Sequence, residues 1–563
     1  MNPRPLEFLP SLARLATVAV FCALCAATNG AENLPREGMA LRLSADQGVE
    51  IRDGRVVGRR DRSATHHIAE VPAGFAGPSV DATQSALHFT HKTLPSINLQ
   101  VLPADAREIT ILGVGQVDEI ETDVCVVGAG SAGIGAAVAA ARRGARVVLI
   151  EREARLGGTG TNAYVANWEP GPGCSLAEEI YLRMKADGGA GVATGYPVQT
   201  KAPMGYILVT DGFPYEATLR RAGIPGSEYR RVPYKPEAFD RVVRDMLDET
   251  GKVTLLDRTT FFQAETNPEK TRVESVLAEA SGGRLIRIRA KVFIDSTGCV
   301  WLCRALGCEV MLGVDPRSRF DEPSAPEQGS LQLNAISRCY LIRPNKTREH
   351  EPAPEADVRF PKCAFVTGWK DGLQAVNPMP MLPGRALIDH GYDECLRCSE
   401  QMARAHWHWL QQIPEFQGYE LAEIAPMLGI RESYRVVTRY VLNENDLLAG
   451  LPGQKHDDII AVADHPCDIH GAGGQLSEVK TAYGIPYRCL LPAGSWSNLL
   501  VACRGAGFSK IAASSCRLQR TMLQIGHAAG IAAAMASQRN VPVDRIEVRA
   551  LVEDLDARSR YPY

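Results

Sequence analysis

The feature that most constrains this chain is a glycine pattern with its structural context attached. Gly128-Ala-Gly130-Ser131-Ala132-Gly133 follows the apolar run Thr122-Asp-Val-Cys-Val-Val127 and opens a run of small side chains from Ser131 to Arg143. Gly144 stops that run, and Ala145-Arg-Val-Val-Leu-Ile-Glu151 follows. Strand, small-residue helix and second strand within about thirty residues is the size of a parallel-sheet crossover. The three glycines have separate tasks. Gly128 permits a tight turn, Gly130 lets backbone approach a pyrophosphate, and Gly133 lets the helix pack close to the strand. The first amides of the helix, at Ser131 and Ala132, then face the phosphates, where the helix dipole favours negative charge. Glu151 lies 18 residues after Gly133, placed to accept hydrogen bonds from ribose hydroxyls. An acid there selects an unphosphorylated ribose, so FAD or NAD rather than NADP.

Further blocks separate FAD from NAD. Past Glu151 and Arg152 comes Leu156-Gly157-Gly158-Thr159-Gly160-Thr161, a second glycine pair that admits more backbone to a cofactor than a simple nicotinamide dehydrogenase needs. Phe293-Ile-Asp-Ser-Thr297-Gly298 closes a strand far downstream. Asn498 to Gly507, with Arg504 in its turn, is a third strand-and-glycine block, followed by the small-residue helix Gly526-His-Ala-Ala-Gly530. That helix is expected to approach the cofactor closely.

These blocks, with Leu428-Gly-Ile-Arg431-Glu432-Ser-Tyr-Arg435, Ala461 to His470 and Tyr483-Gly-Ile-Pro-Tyr-Arg488, resemble the FAD-dependent oxidoreductase family distantly related to fumarate reductase and succinate dehydrogenase flavoproteins. The resemblance covers about 119–310 and 421–537. It implies an α/β fold: a Rossmann-like FAD-binding domain with an inserted cap or substrate domain. It also implies FAD, read here as non-covalent because no His follows Gly157-Gly158, and a redox reaction on an organic substrate. The chain departs from the family where Cys299-Val300-Trp301 replaces acidic residues, where Lys510 replaces a His, and where Arg520 replaces a Pro.

The expected organisation is a signal peptide over 1–31, a small β-rich module over 32–118, and the first part of the FAD domain over 119–310 with an irregular insertion at about 171–230. A cap over 311–420, the second part of the FAD domain over 421–550 and a tail over 551–563 complete it. The leader rests on Arg4 and Arg14, the 13-residue apolar run Leu15–Ala27, and small residues to Ala31. The run is shorter than the roughly 20 residues of a spanning helix, so no stable membrane span is expected after cleavage, and a periplasmic or secreted location follows. Of 15 Cys, 13 lie beyond residue 31, too thinly spread for a disulfide scaffold. A formal charge of −3 excludes a broadly basic nucleic-acid binder.

Flavin chemistry needs a proton mover and groups that hold charge near the ring. His470 is the acid/base candidate, with Asp468 two residues away to orient it. The resemblance places Arg517 near the flavin, for charge stabilisation or for gripping a substrate anion. Arg431 and Arg435, four apart, are expected on one helix face, as a carboxylate clamp or as part of a buried ion-pair network. Lys510 reads as a substrate contact or a solvated loop lysine. Cys395-x-x-Cys398 with His406-x-His408 imitates a zinc pattern inside a helix-like stretch where the two His diverge, so no metal is expected. The leading reading is an exported oxidoreductase acting on a small polar substrate, a sugar, sugar acid or carboxylate, with an unidentified electron acceptor. Two alternatives stand beside it: an isomerase or lyase with internally balanced redox, and a glycan-binding protein retaining a flavoprotein scaffold.

Overall fold

The computed structural model describes residues 117–194, 215–219, 230–345, 352, 358–470 and 479–555, together with the backbone of short strands within 49–100 and 198–208. The leader expected over 1–31 and the end of the tail, from 556, lie outside the described residues. Six short antiparallel strands between Val49 and Gln100 form one sheet. They belong to a compact unit of their own.

The remaining unit is built on a seven-stranded sheet. Its order runs Val253–Leu256, Val147–Ile150, Asp118–Val127, Arg284–Asp295, Val273–Ala280, Thr259–Thr266, and Leu499–Val501 adds to the far end of Arg284–Asp295. The first three strands are parallel, and Leu499–Val501 runs parallel to Phe293–Asp295. Val124–Val127 and Val147–Ile150 are buried at every position, as parallel strands covered on both faces require. The hairpin Thr259–Thr266/Val273–Ala280 is antiparallel and half-exposed along its first strand.

Two helices cross closely on this sheet. A Cβ on Gly526 would overlap Ala132 O, one on Gly530 would overlap Ala136 O, and one on Gly135 would meet Leu523 O at 2.7 Å. The small residues of Gln519–Arg539 therefore serve contact with Ser131–Arg142.

The stretch 171–230 contains more regular structure than its Gly and Pro content suggested. Ser175–Ala186 is a helix that buries Leu176, Ala177, Ile180, Tyr181 and Met184, a 3.6-residue period masked in sequence by the flanking Pro-Gly-Pro-Gly. Val198–Gln199 and Met204–Leu208 join a second, six-stranded sheet whose other strands are Ala364–Gly368, Gln374–Asn377, Tyr340–Pro344 and Tyr419–Ile424. Met204–Leu208 pairs in parallel with Ala364–Gly368, across more than 150 residues of chain. The helix Tyr392–Leu410 packs Ala403, Trp407 and Leu410 onto Tyr340, Ile342, Val366 and Val376.

Candidate functional site

At the end of Asp118–Val127 the chain turns through Gly128 at φ +98°, where a Cβ would meet Ser296 O at 2.6 Å. A Cβ on Gly133 would overlap Gly128 O, so the third glycine sets the distance between helix and turn. Gly130 differs. It caps Ser131–Arg142 at φ −69° with no side-chain hydrogen bond, and a Cβ there would meet nothing within 4 Å. Open space therefore faces the uncapped first turn, where Ser131 and Ala132 are buried. The second glycine pair forms another wall of that space. Gly157 is bridge-paired with Gly130 and donates to Ala129 O at 2.8 Å, and a Cβ on Gly158, at φ +58°, would lie 3.1 Å from Gly130 Cα. Thr159 is half-buried, whereas the buried Thr161 hydroxyl donates to Leu156 O at 2.6 Å and braces the turn.

Glu151 sits at the end of Val147–Ile150. Its Oε2 accepts from Ala129 N at 2.7 Å and its Oε1 from Glu153 N at 2.9 Å. Burial pushes its carboxyl up, against the pull of these bonds. Each oxygen retains a second lone pair for a hydroxyl donor. Arg152 points to Glu153 at 3.2 Å and is half-buried.

Across the turn, the fully buried Asp295 organises the third block. Its Oδ1 accepts from Thr297 N at 3.0 Å and Thr297 Oγ1 at 2.8 Å, and its Oδ2 from Cys303 N at 2.8 Å. Gly298, at φ +74°, lies under the Arg504 guanidinium, 2.5 Å from where its Cβ would stand. Arg504 Nε is buried without a hydrogen-bond partner. The open cradle at Gly130, the uncapped amides, the Glu151 carboxylate and this orphaned donor fit a dinucleotide with a pyrophosphate at the helix N-terminus.

From the second glycine pair the chain leads to the other candidates. Asn162 N donates to Gly158 O at 2.8 Å, and Met427 N donates to Asn162 O at 3.0 Å, four residues before Arg431. Arg431 donates to Ala335 O and Ser337 Oγ, both at 2.8 Å. Burial lowers its pKa to about 10, with the nearby Arg517 cation acting in the same direction. Arg517 donates to Asp468 Oδ2 at 2.9 Å and Asp468 O at 3.1 Å, and its Nε is buried without a partner. Asp468 Oδ1 lies 2.9 Å from His470 Nε2. Burial alone would raise the Asp468 carboxyl, but the His470 bond and the Arg517, His470 and His465 charges outweigh it and hold the pKa well below the ordinary range. The structure thus brings Arg431, Arg517, Asp468 and His470 together.

Arg435 is not on a shared helix face with Arg431, because 428–434 is irregular and Arg435–Val436 is a strand. Gly429 pairs with Ser337 in a single bridge, which pulls the segment out of helical geometry. Arg435 is buried on Asp315 Oδ2 at 2.8 Å and on Gly313 O at 2.7 Å. Lys510 opens the helix Lys510–Cys516 and is buried, not a solvated loop lysine. Its Nζ binds Glu432 Oε2 at 2.5 Å and Gln332 O at 3.3 Å. Burial pulls its pKa down, and Glu432 opposes this.

Asn334 is a residue that sequence reasoning missed. Its N–H donates to Glu432 Oε2 at 2.8 Å, and its Oδ1 accepts from His470 N at 2.7 Å. Ala335 N then donates to His470 O at 3.0 Å. One two-residue segment thus links the Lys510–Glu432 pair, Arg431 and His470. No local signal marks it, since its partners lie more than 90 residues away. In the zinc-like pattern, His406 Nδ1 meets Tyr340 OH at 2.7 Å, its Nε2 meets Cys363 O at 2.9 Å, and His408 Nδ1 meets Gln411. Among the described residues no group of three or more His, Cys, Asp or Glu is placed to hold a metal. Nor does any described helix have the length and apolarity to cross a membrane.

Residues 123–555 match the family described as FAD dependent oxidoreductase. No curated protein is significantly similar in sequence. Among solved structures, the chain is similar to a geranylgeranyl bacteriochlorophyll reductase-like protein from Thermoplasma acidophilum at 11% identity, covering 78% of this chain and 85% of that one, with a TM-score of 0.39. It is also similar to the flavin-dependent brominase Bmp2 at 13% identity, covering 77% of this chain and 82% of that one, with a TM-score of 0.39.

Proposed function

Since the chain belongs to the FAD-dependent oxidoreductase family and is a flavoenzyme with FAD as its cofactor, we propose that it is an exported dehydrogenase or reductase of a small polar organic acid, such as a sugar acid or another carboxylate. The observation that supports this reading is the paired cations. Arg517 stands close enough to Arg431 to help lower its pKa, with the Asp468 carboxylate beside Arg517. That excess of positive charge suits an anionic substrate, and guanidinium grips carboxylate through two parallel bonds. Bound FAD supplies hydride transfer to or from the substrate carbon. Gly130, Gly157 and Gly158 admit the pyrophosphate, Glu151 accepts from a ribose, and Thr297, Gly298 and Arg504 line the turn opposite. His470 takes the hydroxyl proton during dehydrogenation or delivers one during reduction. Asp468 orients the imidazole, and Asn334 fixes its backbone.

Export rests on the N-terminal sequence, and an external electron acceptor completes the cycle. The test is an anaerobic screen of sugars, sugar acids and other carboxylates for bleaching of the flavin absorbance. A carboxylate that bleaches wild type, with a raised KM in Arg431→Met and a lowered kcat in His470→Gln, supports the reading. Neutral sugars that react while carboxylates do not would overturn the anion assignment.

A further inference from the structure

Two thiols, Cys303 and Cys308, lie next to the cofactor turn. The short helix Trp301–Ala305 ends in a complete Schellman turn. Gly307 stands at φ +75°, Cys308 N donates to Cys303 O at 2.9 Å, and Gly307 N donates to Arg304 O at 3.0 Å. This motif brings together the side chains of its first and last residues, ordinarily an apolar contact. Here those residues are Cys303 and Cys308, and the Cys308 thiol is near enough to help push the Cys303 pKa up. The pair is also joined to the cofactor turn, because Cys303 N donates to Asp295 Oδ2 at 2.8 Å and Asp295 Oδ1 holds Thr297.

We propose that Cys303 and Cys308 form an oxidisable dithiol that closes to an intrachain disulfide by exchange with a small-molecule disulfide such as oxidised glutathione. Cys308 starts the exchange, because it is 9% exposed while Cys303 is 0% exposed. The Cys308 thiolate attacks the oxidant, one glutathione thiol leaves, and a mixed disulfide forms. Cys303 then attacks the Cys308 sulfur, and the second glutathione thiol leaves. Burial holds the Cys303 thiol well above its ordinary pKa, so this step needs a base. Asp295 supplies it: its carboxylate, which burial has made more basic, already holds the Cys303 backbone through Cys303 N at 2.8 Å and so stands beside that thiol. In balance, the two cysteines lose two protons and two electrons, and one disulfide bond of the oxidant becomes two thiols. The bond would fasten the helix end to the turn that carries Thr297 and Gly298. Cys299, whose Sγ lies 3.4 Å from Arg504 Nη2, and Cys503, whose Sγ accepts from Gly505 N, have partners of their own.

The test uses the FAD-loaded full chain incubated with oxidised glutathione, blocked with iodoacetamide without reduction, and digested with trypsin. Cleavage after Lys291, Arg304 and Arg317 separates the two cysteines onto peptides 292–304 and 305–317. The expected result is these peptides joined, about 2 Da below the sum of their reduced masses once the alkyl group on Cys299 is allowed for, with fragmentation assigning the link to Cys303 and the alkyl group to Cys299. Cys308→Ser should abolish the joined species, and oxidised wild type should melt above oxidised Cys308→Ser. Recovery of Cys303 and Cys308 as separate alkylated peptides, or a Cys303–Cys503 or Cys299–Cys308 link, would overturn the proposal. The readout is independent of catalysis, so it stands or falls apart from the substrate assignment.

Discussion

Gly130→Ser separates the two demands made on the first turn of Ser131–Arg142. Gly130 is the N-cap, with an ordinary negative φ and empty space where a Cβ would go. Serine suits that position in the apoprotein, because its hydroxyl accepts from the second or third amide of the helix, and the expected effect on apoprotein stability is a gain of about a few tenths of a kcal/mol. The same change harms the cofactor site twice. The new Cβ enters the space where backbone meets pyrophosphate, and the hydroxyl occupies an amide that a phosphate oxygen would use. Loss of one charge-assisted hydrogen bond costs about 1.5–3 kcal/mol, or about 10- to 150-fold in FAD affinity. Flavin fluorescence titration of the deflavinated protein measures the affinity, and thermal melting of the same preparation measures the fold. Gly133→Ala is the control, because its Cβ overlaps Gly128 O and should lower the apoprotein melting temperature itself. A Gly130→Ser protein that melts like wild type and binds FAD with unchanged affinity would refute the placement of the pyrophosphate at this turn.

Three other perturbations follow from the packing and charge. Lys510→Met strands a carboxylate whose side chain is 4% exposed, so holoprotein stability in urea should fall by about 3–5 kcal/mol, and Glu432→Gln added to it should restore part of that loss. Gly530→Val drives a side chain into the backbone of Ser131–Arg142 at Ala136, and the expected cost in urea denaturation is about 1–3 kcal/mol or more. Asp468 has a depressed folded-state pKa, so its contribution to stability is full above its unfolded pKa of about 3.9 and is lost as pH falls through the folded value. The difference in urea midpoint between wild type and Asp468→Asn should therefore be largest near neutrality and shrink below about pH 4.

The cofactor half of the molecule was legible because its information is local. Strand, glycine turn, helix, strand and acid fall within Thr122–Glu151, and each glycine's role follows from the backbone around it. The candidate substrate side was legible only as residue types. His470 and Asp468 are two apart in sequence and meet in the structure, but Arg431 and Arg435 share a spacing without sharing a helix, because the bridge between Gly429 and Ser337 overrides local periodicity. Asn334 and the Lys510–Glu432 pair depend on contacts across 78 to 136 residues, which no window of sequence carries. The same holds for Met204–Leu208, whose place in a sheet is set by Ala364–Gly368.

FAD binding is tested most directly by the visible absorbance of the purified chain before and after acid precipitation. The purified chain should show a flavin spectrum that moves into the supernatant on precipitation, as released FAD. A colourless protein that takes up no FAD on reconstitution would contradict it.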